Sequence, residues 1–180
     1  MSTNGAPAEP TRPGSLLYVG CGHEPLPEWL QELGLSEVRL DIDERCKPDI
    51  IASMDDLGQI GPFDLIFSAH SLEHLPPHRV DVALAEFHRV LADRGSVIVL
   101  VPDLEDVRPT EDVVYVSDAG PVTGLDMFYG LRSCLAAQPH MAHQTGFVRE
   151  TLQGALERAG FSNAKTERLS GFNLMGVGRK

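Results

Sequence analysis

The chain has 180 residues, with 15 Lys and Arg against 26 Asp and Glu and a formal net charge of −11 at pH 7. A chain of this length buries roughly 70% of its unfolded surface, so the 42% hydrophobic content supports one ordinary core and excludes a fold that needs disulfide or metal staples. The three cysteines, Cys21, Cys46 and Cys134, form no C-x-x-C pair and fit a reducing compartment, and the acidic balance weighs against nucleic-acid or anionic-membrane partners, which need clustered Lys and Arg.

Residues 1–14 are rich in Pro, Gly, Ala, Ser and Thr without periodicity, and read as a flexible tail. They hold no apolar signal-type segment, and no apolar run in the chain is long enough to span a bilayer. A soluble cytoplasmic protein with a small-molecule substrate is expected. Residues 15–19 (SLLYV) read as a buried strand entering the turn Gly20-Cys21-Gly22. Pro27, EWLQEL and Gly34 predict a short helix. Residues 37–40 and 49–53 predict two short strands with no room for a helix between them. Residues 63–69 (FDLIFSA) predict a fourth strand. A helical stripe covers 81–91 and is expected to stop at Asp93-Arg94-Gly95.

Residues 96–101 (SVIVLV) are apolar throughout, as in a parallel strand covered on both faces. Residues 102–146 lack a sustained period and read as an insertion containing Tyr115, Phe128, Tyr129, His140 and His143. A helix over 147–159 and strands over 164–169 and 173–178, joined at Ser170-Gly171, close the chain. The pattern predicts a single α/β domain over 15–180 with a mixed sheet.

Ligands of open α/β sheets bind beyond the carboxyl ends of the strands. After the first strand, Gly20 and Gly22 let the backbone approach a ligand and are expected to leave amide donors free. Asp41 follows about twenty residues later, the separation at which an acid accepts hydrogen bonds from ribose hydroxyls. A strand-end acid of this kind is expected to have few structural partners. The third glycine of a dinucleotide fingerprint is missing, since Gly22 precedes His23-Glu24-Pro25. Pyrophosphate binding is disfavoured, and an adenosine-type ligand with an amino-acid tail suits the turn better.

LLYVGCG, the acid in VRLDID, DIIASMDDL, FDLIFSAHSLEHL and FHRVLADRGSVIVLVPD together resemble class I S-adenosylmethionine-dependent methyltransferases of the small methyltransferase-domain type, over roughly residues 15–103. The resemblance implies a Rossmann-like sandwich with a mostly parallel seven-stranded sheet in the order 3-2-1-4-5-7-6, its last strand antiparallel, here with helices trimmed on one flank. It also implies S-adenosyl-L-methionine as cofactor. By motif, Gly20, Cys21 and Gly22 would line its methionine part, Asp41 would bind the ribose and Ile42 would pack on adenine. Met54 and Asp55 would hold the adenine edge, and the backbone of Ser68 and Ala69, with His70 beside it, would face the amino and methyl-bearing end. An acid usual in the family is replaced by Ser53.

In-line methyl transfer needs alignment of the nucleophile with the methyl group and exclusion of water. If the acceptor carries a proton, a nearby base helps, and His70, His140 and His143 are the candidates. The insertion over 102–146 is expected to form a substrate cap, with a homodimer interface as the competing reading. His70-Ser71-Leu72-Glu73-His74 also spells H-x-x-E-H, the inverted zinc-protease motif, which would need a downstream ligand such as Glu86 or His88. Its position directly after a strand argues against a helical metal site, and no metal is assigned. A non-catalytic adenosylmethionine-binding module is the remaining alternative.

Overall fold

The computed structural model describes residues 14–117 and 120–180; apart from Gly14, the expected tail lies outside the described residues. Seven strands form one sheet in the order β3-β2-β1-β4-β5-β9-β8. They are β1 (Ser15–Val19), β2 (Ser36–Asp41), β3 (Ile50–Ile51), β4 (Phe63–Ala69), β5 (Leu91–Pro102), β8 (Ser162–Leu169) and β9 (Asn173–Arg179). β1 runs parallel to β2 and β4, β2 to β3, and β4 to β5, whereas β9 is antiparallel to both β5 and β8. This is the expected 3-2-1-4-5-7-6 sheet, with a separate hairpin, β6 (Val113–Ser117) and β7 (Gly120–Thr123), inserted between its fifth and sixth strands.

Strand alternation divides the apolar side chains between two faces. Leu17, Val19, Ile66, Val97 and Val99 pack with Ala83, Leu84 and Phe87 of α2 (Pro77–Val90) and with Leu152, Ala155 and Leu156 of α4 (Arg149–Arg158). Leu16, Tyr18, Leu65 and Phe67 face the other way onto Leu30 of α1 (Glu28–Gln31). The short α1 and the 3-10 turn Glu44–Cys46 between β2 and β3 make this the thin flank expected from the sequence.

Several boundaries move. α2 starts at Pro77 rather than at residue 81, because proline at the first helical position has a preset φ and needs no N–H partner. It ends at Val90, before the expected Asp93-Arg94-Gly95 stop, because Leu91 already pairs with Phe63; a register shift between Phe63 and Leu65 absorbs the extra residues. β3 contracts to two residues. The described residues of 102–146 hold β6, β7, α3 (Gly124–Tyr129) and a 3-10 turn, Pro139–Met141. Elements this short present no sustained period. Local hydrogen bonds specify α3 instead, through a capping box in which Thr123 Oγ1 accepts from Asp126 N–H while Thr123 N–H donates to the Asp126 carboxylate. Among the described residues, no helix is long and apolar enough to cross a membrane.

Candidate active site

The turn after β1 is built by two glycines at positive φ, Gly20 (+67°) and Gly22 (+50°). A Cβ on Gly20 would stand 2.0 Å from Ser71 Oγ, whereas one on Gly22 would meet nothing within 4 Å. Close approach therefore requires glycine at the first position, and backbone conformation at the second. The amides are not free, contrary to expectation. Gly20 N–H and Cys21 N–H donate to Leu40 O at 2.8 and 3.2 Å, and Gly22 N–H donates to Asp41 Oδ2 at 2.8 Å. The parallel neighbour β2 supplies these acceptors, so the turn is a braced wall rather than an anion cradle.

Asp41 is likewise more engaged than expected: Oδ2 holds Gly22, and Oδ1 accepts from Asp43 N–H at 2.9 Å. A carboxylate has about four acceptor sites, so Asp41, which borders the cleft, keeps about two uncommitted. Arg39, which the sequence reading passed over, donates to Gly22 O and Glu24 O at 3.1 and 2.9 Å. Its guanidinium also stands 5.4 Å over the Tyr18 ring. Period-two alternation puts Arg39 on the strand face that bears Asp41, which was its only signal.

A cleft of about 560 Å³ opens beyond these strand ends. It is lined by Gly20 and Gly22, by Asp41, Ile42 and Asp43, by Ser53 and Met54, by His70, Ser71 and His74, and by Gln138, His140 and Met141 of the insertion. The remaining sequence candidates lie elsewhere. The Cys21 side chain turns into the core with Leu16, Tyr18 and Phe67, and burial pushes its thiol pKa up. Asp55 does not border the cleft: its carboxylate pairs with Arg79 and accepts from the Ser53 hydroxyl, and the Arg79 hydrogen bond holds it below its ordinary pKa. Ser68 is buried where β4 runs between Val19 of β1 and Val99 of β5. Ser68 and Ala69 do not border the cleft, whereas His70 beyond them does.

A second cavity of about 330 Å³ lies under the insertion. Its walls include Glu73, Tyr115, Val122, Met127, Leu131 and His143, and it shares His70, His74, Gln138 and Met141 with the first. Of the three histidines proposed as bases, His140 therefore borders the cleft, His143 the second cavity, and His70 both. His70 adopts φ +50°, uncommon for a residue with a side chain, and its N–H donates to Leu100 O at 2.8 Å. Burial lowers its imidazole pKa, but the Glu73 carboxylate and Asn173 outweigh burial and hold it above the ordinary value.

The inverted-protease geometry is not formed. Glu73 and His74 lie in a 3-10 turn, Leu72–His74, and His70 precedes it, so the two histidines do not share a helix face. Of the proposed downstream ligands, Glu86 is held by Arg89 and Leu57 N–H, and His88 packs edge-on against Phe161.

A family model described as "Methyltransferase domain" matches residues 3–166. No curated protein gives a significant sequence match. Among solved structures, the fold resembles a SAM-dependent methyltransferase from Archaeoglobus fulgidus, with a TM-score of 0.66 and 17% identity over 93% of this chain and 86% of that one. An S-adenosylmethionine-dependent methyltransferase from Mesorhizobium loti is similar at a TM-score of 0.66 and 19% identity, over 96% of this chain and 94% of its own. The 1,6-didemethyltoxoflavin-N1-methyltransferase of Burkholderia thailandensis, solved with 1,6-didemethyltoxoflavin and S-adenosylhomocysteine, matches at 0.59 and 17% over 94% and 72% of the two chains. The braced glycine turn and the acid that ends β2 sit on the seven-stranded sheet that these proteins share, and with the family matched over nearly the whole sequence the chain belongs to the methyltransferase-domain family of class I S-adenosylmethionine-dependent enzymes.

Proposed function

We propose that the chain transfers a methyl group from S-adenosyl-L-methionine in the larger cleft to a small-molecule acceptor in the cavity beneath the insertion. The observation that carries this reading is the wall common to the two cavities, made by His70, His74, Gln138 and Met141. In-line displacement requires donor and acceptor on either side of one transfer point, and two cavities that meet at four side chains suit that requirement. The cofactor brings the reactive methyl, while the chain binds, orients and excludes water. The uncommitted lone pairs of Asp41 suit ribose hydroxyls, and Ile42 and Met54 offer apolar surface to a purine. A turn whose amides are already committed suits an uncharged thioether or a sulfonium better than a pyrophosphate.

His70 borders both cavities, as does His74, and in this reading it takes a proton from an acceptor hydroxyl or ammonium. The smaller cavity suits a compact acceptor; the Burkholderia relative binds one of that class. The acidic chain makes nucleic acid an unsuitable acceptor.

The reading is tested by calorimetry with S-adenosylhomocysteine, followed by methyl transfer against a metabolite panel. Wild type is expected to bind one nucleoside per chain, and Asp41→Asn, which keeps one acceptor oxygen but no charge, to bind at least 10-fold more weakly. His70→Asn, chosen because asparagine tolerates left-handed φ, is expected to retain nucleoside binding and lose roughly 10²–10⁴ in kcat if an acceptor proton is removed there. A wild-type protein that ignores the nucleoside overturns the proposal, and binding without transfer to any acceptor favours the non-catalytic module.

A further inference from the structure

We propose that Glu73, His74 and His143 form a binding site for one divalent cation of the zinc class, at the seam between the two cavities. Each of the three side chains offers a ligand atom, and these atoms lie within 4.8 Å of one another. Tetrahedral ligands on bonds of about 2.1 Å stand about 3.4 Å apart, so closing around an ion asks for side-chain shifts of about 1 Å.

The carboxylate is the first independent sign. The Glu73 side chain is only 2% exposed, and neither of its oxygens has a hydrogen-bond partner among the described residues. The His70 imidazole stands beside it, with Nδ1 3.5 Å from Oε1 and no hydrogen bond formed. A buried carboxylate without donors is strongly unfavourable unless a positive charge arrives to satisfy it.

The second sign is how the imidazoles are held. His74 Nδ1 lies 3.3 Å from Ala142 O, and His143 Nδ1 lies 2.9 Å from Met127 O. A carbonyl only accepts, so each Nδ1 is the donor, and Nε2 is the ring nitrogen left to ligate a cation. Metal-ligating histidines are oriented in this way by carbonyl partners. Four hydrogen bonds also lace the segment beside His143 to the turn bearing Glu73 and His74. Gln144 N–H and Thr145 N–H donate to Glu73 O at 2.7 and 3.0 Å; Gln144 Nε2 donates to His74 O at 2.7 Å and Thr145 Oγ1 to Leu75 O at 2.6 Å. The three ligands are thus set in place from two distant parts of the chain before any ion binds.

Two imidazoles and one carboxylate select a borderline cation such as Zn²⁺ over Mg²⁺ or Ca²⁺, which prefer all-oxygen shells. Three protein ligands leave a fourth position open, and all three residues border the acceptor cavity. An acceptor hydroxyl bound there would lose its proton to His70. Its oxygen lone pair would form the new O–C bond while the C–S bond pair stays on sulfur as the neutral thioether. Only this last step rests on the methyl-transfer reading; cation binding stands on its own.

The test uses tag-free full-length protein stripped with a chelator. Zn²⁺ titration is followed by calorimetry, and Co²⁺ titration by visible absorption. One ion per chain is expected, with a tetrahedral Co²⁺ spectrum lacking thiolate charge transfer. His143→Ala and Glu73→Gln are each expected to weaken uptake at least 10-fold while preserving the far-UV circular dichroism. His143 lies on the inserted segment outside the sheet, which keeps the test valid if burial of Glu73 makes its variant unstable. No stoichiometric uptake by wild type, or unchanged uptake by a folded His143→Ala, overturns the site. A thiolate Co²⁺ band also overturns it, placing the ion at a cysteine such as the half-buried Cys46, whose Sγ is 3.8 Å from His23 Nε2. Nucleoside binding without zinc uptake defeats the cation site alone, whereas zinc uptake without nucleoside binding defeats the methyl-transfer reading alone.

Discussion

Gly20 and Ser71 join the turns after β1 and β4, since the Ser71 hydroxyl lies 3.3 Å from Gly20 O and 3.1 Å from Ala69 O. Gly20→Ala would place a methyl 2.0 Å from that hydroxyl oxygen and 2.6 Å from Ser71 Cβ, so one of the turns must move. Affinity for S-adenosylhomocysteine is expected to fall at least 10-fold. Adding Ser71→Gly removes the steric conflict and leaves the left-handed strain of about 1–2 kcal/mol, so calorimetry should show part of the affinity restored. A double variant as weak as Gly20→Ala would show that the conflict lies elsewhere. The glycines and Asp41 were legible from spacing because backbone conformation and strand-end position are local properties. The direction of the Cys21 side chain and the Asp55–Arg79 pair were not, because each depends on which distant element lies across from the residue.

The same distinction holds for whole elements. β1, β4 and β9 announce themselves through apolar runs between turn residues, while β6, β7 and α3 are too short for any period and depend on specific hydrogen bonds. Asp126 is the centre of that cap: it accepts from Thr123 N–H and Oγ1–H and from Arg132 N–H and Nε–H. Burial raises its carboxyl pKa, but these bonds outweigh burial and hold it well below the ordinary carboxylate range. A folded-state pKa lower than the unfolded one contributes stability that is full above about pH 4 and is lost as pH falls through the folded value. Amide exchange in α3, corrected for intrinsic rates, is therefore expected to quicken on acidification from neutral pH to pH 3 more than exchange in β5. Asp126→Asn should remove that acid sensitivity. Thr123→Ala should cost about 1 kcal/mol of local stability at neutral pH. Equal acid responses of α3 and β5 would remove Asp126 from this role.

At the scale of the molecule, the cleft lies where the sheet order turns outward on both sides of β1 and β4, the position open α/β sheets offer to ligands. Its lining comes from the segments after β1, β2, β3 and β4 and from the insertion, so no fragment carries it and the unfolded chain should have no affinity for the nucleoside. Binding then stabilises the folded state by mass action, about 2.7 kcal/mol at a free ligand concentration of 100 Kd. For a domain of this size each kcal/mol moves Tm by about 2–4 °C, so S-adenosylhomocysteine should raise Tm by roughly 5–11 °C. Leu84→Ala on α2 empties a fully buried site and should cost about 2–5 kcal/mol. Leu84 packs with the core and does not border the cleft, so scanning calorimetry should show a lower starting Tm and the same ligand increment. A smaller increment in Leu84→Ala would mean that α2 packing positions the His70–Glu73 turn, and that cleft and core are one cooperative unit in binding as well as in folding.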